Sequence, residues 1–487
     1  MYKLKLISII FLILFYNYIN ITNCYSEPKK EYVTTSNTNQ RSPFGFLPAV
    51  VIPPFEYGID NPYDIATGLG IKWDRSLMFI WTLEQPDIKI PQYCWRNDKQ
   101  IKDIPTGINV MGNILIGDPS MDKNYVVYAK SSNSFLPKNV VAYKNFVNAL
   151  VERYDGDGID DMPDLTVPIK HWQIDNEPPH GLSDYAEFLK ISYISIKKAD
   201  PSSTVIIGGV GGMPPIHEYI NIFNKTYIPI LDQLSKSKSR YFDIFDFHWY
   251  GNATGDYLGT KNIYHHIHQT LKERNLLPLN GFWITEMGTY SGEPLPLRIL
   301  SYKNFPFQSE KQQAIDLIKR NIYPLTLGIK KVFMAFGLIE GFKYDNGYFD
   351  FTGLIYDGRY SHDLGKGVKK LSFYTYKKMI EILDGANWER IKCIQKNDSL
   401  YIYEFVKNNK SIWVAWNDKC TSQIGKISLN KHIKKVKITE AVPNFNSGIN
   451  VNNYKDAFKN VKHYINNSEP RQIVFPISEI PIYIEEI

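Results

Sequence analysis

The sequence predicts an α/β protein: a (β/α)8 TIM barrel followed by a C-terminal β-sandwich. Short β-branched runs alternate with amphipathic stretches over most of the chain, as expected for repeated βα units around a parallel sheet. Eight such runs are present, which fits a closed barrel better than an open sheet. From about residue 387 the pattern changes to short alternating strands between polar turns, which is typical of a sandwich.

The composition is that of a large globular protein. The 487 residues are 44% hydrophobic and 14% aromatic, so the chain can bury a sizeable core. The formal net charge of +6 is spread along the chain, without a dense run of Lys and Arg. We therefore expect the charge to be solvated and expect no nucleic-acid partner.

Residues 1–26 have the layout of a secretory signal peptide. Lys3 and Lys5 precede an apolar run from Leu6 to Phe15, and the chain then turns polar. The run is shorter than the roughly 20 residues that a membrane span requires, so a retained anchor is the weaker alternative. Cys24 leaves lipidation open as a further alternative. We expect a polar segment over residues 27–41 and a secreted, cell-surface or periplasmic protein.

The predicted barrel covers residues 42–384. Its eight strands are expected at Gly45–Leu47, Trp73–Leu77, Asn109–Ile114, His171–Ile174, Thr204–Ile207, Ile244–Phe247, Gly281–Thr285 and Lys331–Phe336. Apolar residues at helical spacing predict helices at Lys138–Tyr154, Asp184–Ala199, Lys261–Arg274, Glu310–Leu327 and Val368–Leu383. No glycine-rich phosphate-binding loop follows the first strand, which disfavours nucleotide binding.

The predicted sandwich covers residues 385–487. No long Pro/Ser/Gly linker separates it from the barrel, so we expect the two units to be rigidly joined. Trp413 and Trp416 lie three apart in one strand and therefore point to opposite faces, so at least one should be buried. The clearest strands are Ser399–Phe405, Ser411–Trp416 and Ile480–Ile484.

Two smaller features leave alternatives open. Cys393 and Cys420 could form a disulfide, or they and Cys94 could be isolated thiols, because three cysteines are too few for a disulfide framework. The run Asp155–Asp161 places four carboxylates in seven residues, which could bind a structural calcium ion. It is shorter than an EF-hand loop and lacks its terminal glutamate, so a solvated acidic turn is favoured.

Two segments more than a hundred residues apart each place a glutamate directly after an apolar strand. Glu177 lies in the segment His171–Pro178 and Glu286 in the segment Phe282–Gly288. A retaining glycosidase needs two carboxyl groups about 5 Å apart, one to protonate the leaving oxygen and one to attack the anomeric carbon. Each string alone fits an ordinary turn, but the pair favours this chemistry.

These segments resemble the strand ends of glycoside hydrolase clan A. Asn176–Pro178 is similar to the end of strand four in that clan, His248–Tyr250 to strand six, and Ile284–Glu286 to strand seven. Leu69–Arg75 resembles the second-strand segment that ends in an active-site arginine. The resemblance covers roughly residues 42–380 in the clan's order. One departure is Phe336, because many members carry a tryptophan at the eighth strand.

The resemblance implies that Glu177 is the acid/base and Glu286 the nucleophile. A general acid must be protonated, so Glu177 needs a raised pKa, whereas Glu286 must be ionised to attack. We expect no cofactor and no metal ion in this site. The residues expected to bind the substrate or orient the nucleophile are Asn176, Arg75, His248 and Tyr250.

Several aromatic side chains could stack on the apolar face of a sugar ring, although a place in the core is favoured for each. The candidates are Trp81, Trp249, Tyr290 and Phe336.

The function expected from the sequence is that of a secreted retaining glycoside hydrolase. It would cleave O-glycosidic bonds of an oligo- or polysaccharide by double displacement through a glycosyl-enzyme intermediate. One alternative is a catalytically inactive carbohydrate-binding surface protein on the same barrel; another is a structural surface protein that uses the sandwich for adhesion. The expected partner is a carbohydrate, with no membrane span. The sugar, the linkage, exo or endo action and the oligomeric state stay open.

Overall fold

The computed structural model describes residues 41–118, 122–178, 184–237, 239–295, 305–397, 399–419, 421–465 and 471–487. The predicted signal peptide, with Cys24, lies outside these residues, as does the predicted polar segment up to residue 40. Eight strands form the first part of the fold: β1 Phe44–Leu47, β2 Trp73–Ile80, β3 Asn109–Leu115, β4 His171–Ile174, β5 Thr204–Ile207, β6 Phe245–Trp249, β7 Phe282–Met287 and β8 Lys331–Ala335.

The eight strands form one parallel sheet in the order β5-β4-β3-β2-β1-β8-β7-β6. Parallel bridges between Ile206 and Ile244 and between Val210 and Phe247 join the β5 side to the β6 side. The sheet therefore closes into the barrel that the sequence predicts. The strands are almost entirely buried, as expected of parallel strands covered by helices.

The barrel interior is apolar at one end and polar at the other. Trp73, Trp283 and Phe333 belong to an apolar cluster contributed by several strands. Side chains alternate across a strand, so the next inward positions are two residues further along. Arg75 in β2 and Thr285 in β7 occupy such positions, which places the polar end of the barrel at the carboxyl ends of the strands.

The five predicted helices are present, with ends that differ by at most three residues. They are Val140–Tyr154, Tyr185–Ala199, Gly259–Glu273, Glu310–Thr326 and Leu371–Leu383. Shorter helices lie at Asp64–Leu69, Trp81–Glu84, Asp98–Lys102 and Tyr125–Tyr128, and 3-10 turns at Pro54–Tyr57, Asp256–Leu258, Tyr348–Phe351, Trp388–Arg390, Gly448–Asn450 and Tyr454–Asp456.

The helix Ile216–Lys236 was not predicted. It contains Pro229, which removes a backbone hydrogen bond and is strongly unfavourable inside a helix. Burial overrides this cost, because Tyr219, Phe223 and Tyr227 recur at four-residue spacing and all three are buried.

In the C-terminal region, the described residues form eight antiparallel strands: β9 Lys392–Lys396, β10 Leu400–Lys407, β11 Lys410–Asn417, β12 Gln423–Ser428, β13 Lys435–Glu440, β14 Asn460–Tyr464, β15 Gln472–Ile477 and β16 Ile482–Glu486. Six form a sheet in the order β14-β13-β16-β11-β10-β9, and β12 pairs with β15. Asn408 and Asn409, both at positive φ, form the two-residue turn between β10 and β11. The sandwich-like arrangement confirms the predicted fold class.

Trp413 and Trp416 point to opposite faces of β11, and both are buried. Trp413 packs in the core of the sandwich, whereas Trp416 belongs to the core of the barrel. The Trp416 indole N–H donates to the Tyr257 hydroxyl at 2.9 Å, and that hydroxyl donates to Asp418 Oδ2 at 2.6 Å. Asp418 Oδ1 also accepts from Lys319 Nζ at 2.8 Å. Buried and partly buried hydrogen bonds therefore join the sandwich to the barrel.

Across the residues that the structure describes, no helix combines the length and the apolar character needed to cross a bilayer. The thiols of Cys94 and Cys393 are free and exposed. Cys420, the predicted partner of Cys393, lies outside the described residues.

Candidate active site

Both glutamates lie at the carboxyl ends of barrel strands. Glu286 is part of β7, and its side chain is 3% exposed, whereas Glu177 follows β4 and its side chain is 10% exposed. One carboxylate oxygen of each residue lies within 4.8 Å of the other. The two carboxyl groups therefore face each other at the polar end of the barrel.

A bulge in β7 brings Glu286 into the barrel. β7 has one extra residue between Trp283 and Glu286 relative to β6, and one between Ile284 and Met287 relative to β8. Trp283 and Thr285 face inward by alternation, so an unbroken strand would turn Glu286 outward. A bulge re-aims the side chains that follow it, and both Thr285 and Glu286 reach partners inside the barrel.

Two donors hold the Glu286 carboxylate. Arg75 Nη1 donates to Oε1 at 2.6 Å, and the Tyr250 hydroxyl donates to Oε2 at 2.5 Å. Burial and then the Glu286 charge raise the pKa of Tyr250 well above its usual value, so the phenol stays protonated and remains a donor. Both oxygens of Glu286 are therefore held in place by hydrogen-bond donors.

Glu177 is placed by an unusual backbone. Asp175 and Glu177 have φ angles of 63° and 45°, in the left-handed region that residues other than glycine rarely adopt. Burial raises the pKa of Glu177. The hydrogen bond to His248 and the His248 charge act in the opposite direction, and the Glu286 charge adds to the increase. A raised pKa is the property that the sequence analysis required of the acid/base.

His248 connects the two carboxyl groups to a buried aspartate. Its Nδ1 lies 2.7 Å from Glu177 Oε1 and 3.5 Å from Glu286 Oε2, and its Nε2 lies 3.2 Å from Asp246 Oδ2. Burial alone would lower its pKa, but the charges of Glu286 and Asp246 outweigh burial and raise the pKa to about 10. At neutral pH the ring is therefore an imidazolium that donates from both nitrogens.

A second set of hydrogen bonds orients Arg75. Its Nε and Nη2 donate to Gln173 Oε1 at 3.0 and 2.7 Å, and Nη2 also donates to Asn176 Oδ1 at 2.5 Å. Gln173 in turn donates from Nε2 to Asp246 Oδ2 at 2.6 Å. The structure thus brings together all six side chains that the sequence singled out. They are Glu177, Glu286, Asn176, Arg75, His248 and Tyr250.

Three buried residues of this network were not singled out from the sequence. Gln173, Asp246 and Thr285 link the strand ends behind the two glutamates. The spacing along the strand could have revealed them. Asp246 lies two residues before His248 in β6, so the two side chains point to the same face of the strand. Polar residues at the inward positions of an otherwise apolar strand need buried partners and so belong to the same network.

Glycines after β5 let the backbone approach this network. A Cβ atom at Gly211 would lie 2.4 Å from the Glu177 carboxyl group, and one at Gly209 would lie 2.2 Å from His248 Nε2. Any larger residue at either position would displace a catalytic candidate.

Trp81, Trp249 and Tyr290 belong to the core, the favoured alternative, because all three are fully buried and have no face left to stack on a sugar. Phe336, 3% exposed, stacks parallel to Tyr250 at a centroid separation of 6.2 Å. It therefore supports Tyr250 from beside the nucleophile.

Glu177, His248 and Glu286 are close enough to hold a metal ion, but Arg75 and Tyr250 already occupy both oxygens of Glu286. Glu152, Asp155 and Asp157 also lie close together. Several of the acidic-run carboxylates accept backbone N–H groups of their own loop, among them Asp157 from Ile159. This pattern fits the favoured acidic turn.

Neither protein family models nor curated protein sequences match the chain. Solved structures do match it over most of its length. A family 39 glycoside hydrolase from the gut symbiont Bacteroides cellulosilyticus is 14% identical, with a TM-score of 0.60 over 92% of this chain and 82% of the other. A family 30 endoxylanase from Clostridium papyrosolvens is 14% identical, with a TM-score of 0.52 over 91% and 96%.

A family 51 arabinofuranosidase from Xanthomonas axonopodis pv. citri is 9% identical, with a TM-score of 0.53 over 92% of this chain and 96% of the other. At these identities the likeness establishes the fold. This chain therefore has the barrel-and-sandwich fold of glycoside hydrolases from families 39, 30 and 51, the fold that its resemblance to clan A implies.

Proposed function

We propose that this protein is a secreted retaining glycoside hydrolase that cleaves O-glycosidic bonds of an oligo- or polysaccharide by double displacement. The observation that carries the proposal is the separation of at most 4.8 Å between oxygens of Glu177 and Glu286. Retaining enzymes place their carboxyl groups about 5–5.5 Å apart, whereas inverting enzymes need about 6.5–9.5 Å to admit a water molecule.

In the first step, Glu286 attacks the anomeric carbon while Glu177 protonates the departing oxygen. Arg75 and Tyr250 donate hydrogen bonds to the Glu286 carboxylate and fix its direction. His248 donates from Nδ1 to Glu177 Oε1, so a proton carried by Glu177 resides on Oε2 and is available to the leaving group. The bond to the sugar forms at Glu286 as the glycosidic bond breaks.

In the second step, Glu177 acts as a base. It has given its proton to the leaving group, so its carboxylate can remove a proton from a water molecule that attacks the glycosyl-enzyme. The positive charge on His248 stabilises the carboxylate in this state. Hydrolysis releases Glu286 and restores the proton on Glu177.

The fold supports this proposal but does not identify the sugar that the protein would cleave. An endoxylanase and an arabinofuranosidase share the fold, and a single barrel fold accommodates many activities. The substrate class is therefore a carbohydrate whose identity must come from experiment.

The test is a panel of aryl glycosides and plant or microbial polysaccharides, assayed with the purified protein and with Glu286→Ala. We expect hydrolysis by the wild type and none by the variant, and the first-formed product should keep the anomeric configuration of the substrate in NMR spectra. Binding without hydrolysis would instead favour the inactive carbohydrate-binding protein. An inverted product would contradict double displacement.

Export is proposed from the first 26 residues, which combine an early positive charge with an apolar run. Expression of the full chain should yield protein in the medium or the periplasm, with an N-terminus near residue 27 by mass spectrometry. A cell-associated chain with an intact N-terminus would contradict this part of the proposal.

A further inference from the structure

The long loop between β8 and the helix Leu371–Leu383 brings four ionisable side chains together: Glu340, Asp357, His362 and Asp363. Ligand-type atoms of Glu340, His362 and Asp363 all lie within 4.8 Å of one another. His362 Nε2 lies 3.1 Å from Asp363 Oδ1 and 4.0 Å from Glu340 Oε2. This loop cluster is separate from the two catalytic candidates.

Each of the three carboxylates uses one oxygen for the protein's own structure. Glu340 Oε1 accepts from Lys370 Nζ. Asp357 Oδ1 accepts the backbone N–H of Arg359 at 3.0 Å, and Asp363 Oδ2 accepts the same N–H at 2.9 Å. These bonds fix the direction in which the second oxygen of each carboxylate points.

The second oxygens are buried and accept no hydrogen bond from an N–H or O–H group of the described residues, although the Asp357 and Asp363 carboxyl groups lie close enough to share a proton. These oxygens are Glu340 Oε2, Asp357 Oδ2 and Asp363 Oδ1, and His362 Nε2 also lacks a partner. The three acidic side chains are at most 2% exposed. The nearest cation to Asp357 Oδ2 is Arg359 Nε at 3.7 Å, beyond hydrogen-bond distance. Burying a carboxylate oxygen without a donor or a cation costs folding free energy. A bound cation among these oxygens would remove that cost.

We propose that Glu340, His362 and Asp363 bind one divalent transition-metal cation, with Zn²⁺ as the best match. An imidazole nitrogen with carboxylate oxygens is a ligand set that Zn²⁺ accepts, whereas Ca²⁺ and Mg²⁺ favour oxygen ligands alone. Bonds of about 2.0–2.2 Å to a tetrahedral ion place its ligand atoms about 3.3–3.6 Å apart. The separations of 3.1 and 4.0 Å bracket this range.

The cation would cross-link the loop that borders the active site. Its ligands come from the beginning and the end of the loop, so binding joins segments about 20 residues apart and restricts the chain between them. That intervening chain carries Phe349, which packs edge-on against Tyr250. It also carries Lys343, whose pKa is lowered to about 8 by burial, against the opposing charges of nearby carboxylates that include Glu177. The role of the ion is therefore structural.

The first measurement is metal content and thermal unfolding of the full chain. We expect about one Zn²⁺ per chain by mass spectrometry of the elements after dialysis, a lower Tm after chelation, and recovery when Zn²⁺ is returned. This experiment needs no variant, so a variant that fails to fold cannot obscure it. No retained or rebound transition metal, an unchanged Tm, or a response to Ca²⁺ alone would overturn the proposal.

The second measurement compares His362→Gln with the control His432→Gln. His432 is an exposed histidine whose Nε2 lies 3.7 Å from a single carboxylate oxygen, that of Glu486. Loss of one ligand in His362→Gln should weaken Zn²⁺ binding at least tenfold and abolish the stabilisation by Zn²⁺, whereas the control should bind as the wild type does. Equal Zn²⁺ affinity in the two variants would overturn the assignment.

Discussion

His248 Nδ1 lies 2.7 Å from Glu177 Oε1, while the opposite ring nitrogen faces Asp246 at 3.2 Å. The imidazolium therefore joins the proposed acid/base to a carboxylate buried behind the site. Because Asp246 also accepts hydrogen bonds from Gln173 and Thr285, its position is fixed by three strands. His248 accordingly orients the proton of Glu177 and also modulates its pKa.

Replacing His248 with Phe should move the alkaline limb of the pH profile of kcat/KM to higher pH. The hydrogen bond and the charge of His248 lower the pKa of Glu177, so their removal raises it. A general acid loses activity as the pH rises through its pKa, so a higher pKa extends activity upward. Reduced activity with an unshifted alkaline limb would mean that His248 supports the structure of the site without changing the pKa of Glu177.

The variants Glu286→Ala and Glu177→Ala should fail in different ways. Loss of the nucleophile should abolish hydrolysis of every substrate, and azide should restore activity with a glycosyl azide of inverted configuration. Loss of the acid/base should spare the first step for aryl glycosides with good leaving groups but slow poor leaving groups by about 10²–10⁴-fold. Azide should then accelerate the second step. Full activity in either variant would contradict the assignment.

Tyr250→Phe should lower kcat/KM by about tenfold to a hundredfold. It removes a charge-assisted hydrogen bond to Glu286, and such bonds contribute about 1.5–3 kcal/mol. The matched control is Tyr290→Phe, which removes a hydroxyl that donates to the Pro306 carbonyl oxygen at 2.7 Å. The control should keep its activity, and equal losses in both variants would point to general packing instead.

A chain ending at residue 384 should be insoluble or much less stable than the full chain. It would expose the barrel surface that Trp416 covers, and burying a Trp side chain contributes about 3–5 kcal/mol. The hydroxyl of Tyr257 and the ammonium of Lys319 would also lose their partner Asp418. The excised sandwich should not bind polysaccharide in a pull-down. A stable, fully active barrel together with a binding-competent sandwich would refute this prediction.

The barrel could be predicted from the sequence because each strand is a short apolar run between polar segments. The helix Ile216–Lys236 was not predicted from the sequence. Pro229 opposes helix formation locally, and only tertiary packing compensates for the cost of this proline. Similarly, Trp81 and Trp249 were candidates for stacking on a sugar because their side chains are aromatic. Their burial depends on neighbours that sequence position alone does not reveal.

The site could be predicted where a motif carried the chemistry, as for Glu177 and Glu286. The inward turn of Glu286 depends on the bulge in β7, which has no signature in the sequence of a single strand. The loop cluster was not predicted from the sequence for a different reason. Glu340 lies 17 residues before Asp357 in a segment without regular spacing, so only the folded loop brings the two together.

The identity of the nucleophile is tested most directly by trapping the glycosyl-enzyme. The protein would be incubated with a 2-deoxy-2-fluoro glycoside of the sugar that the substrate panel identifies, then digested and analysed by mass spectrometry. Slowed turnover should leave one sugar per chain, attached to the peptide that contains Glu286, and the label should be absent from Glu286→Ala. A label on another residue, or no label while the wild type hydrolyses the parent glycoside with inversion, would contradict the proposed mechanism.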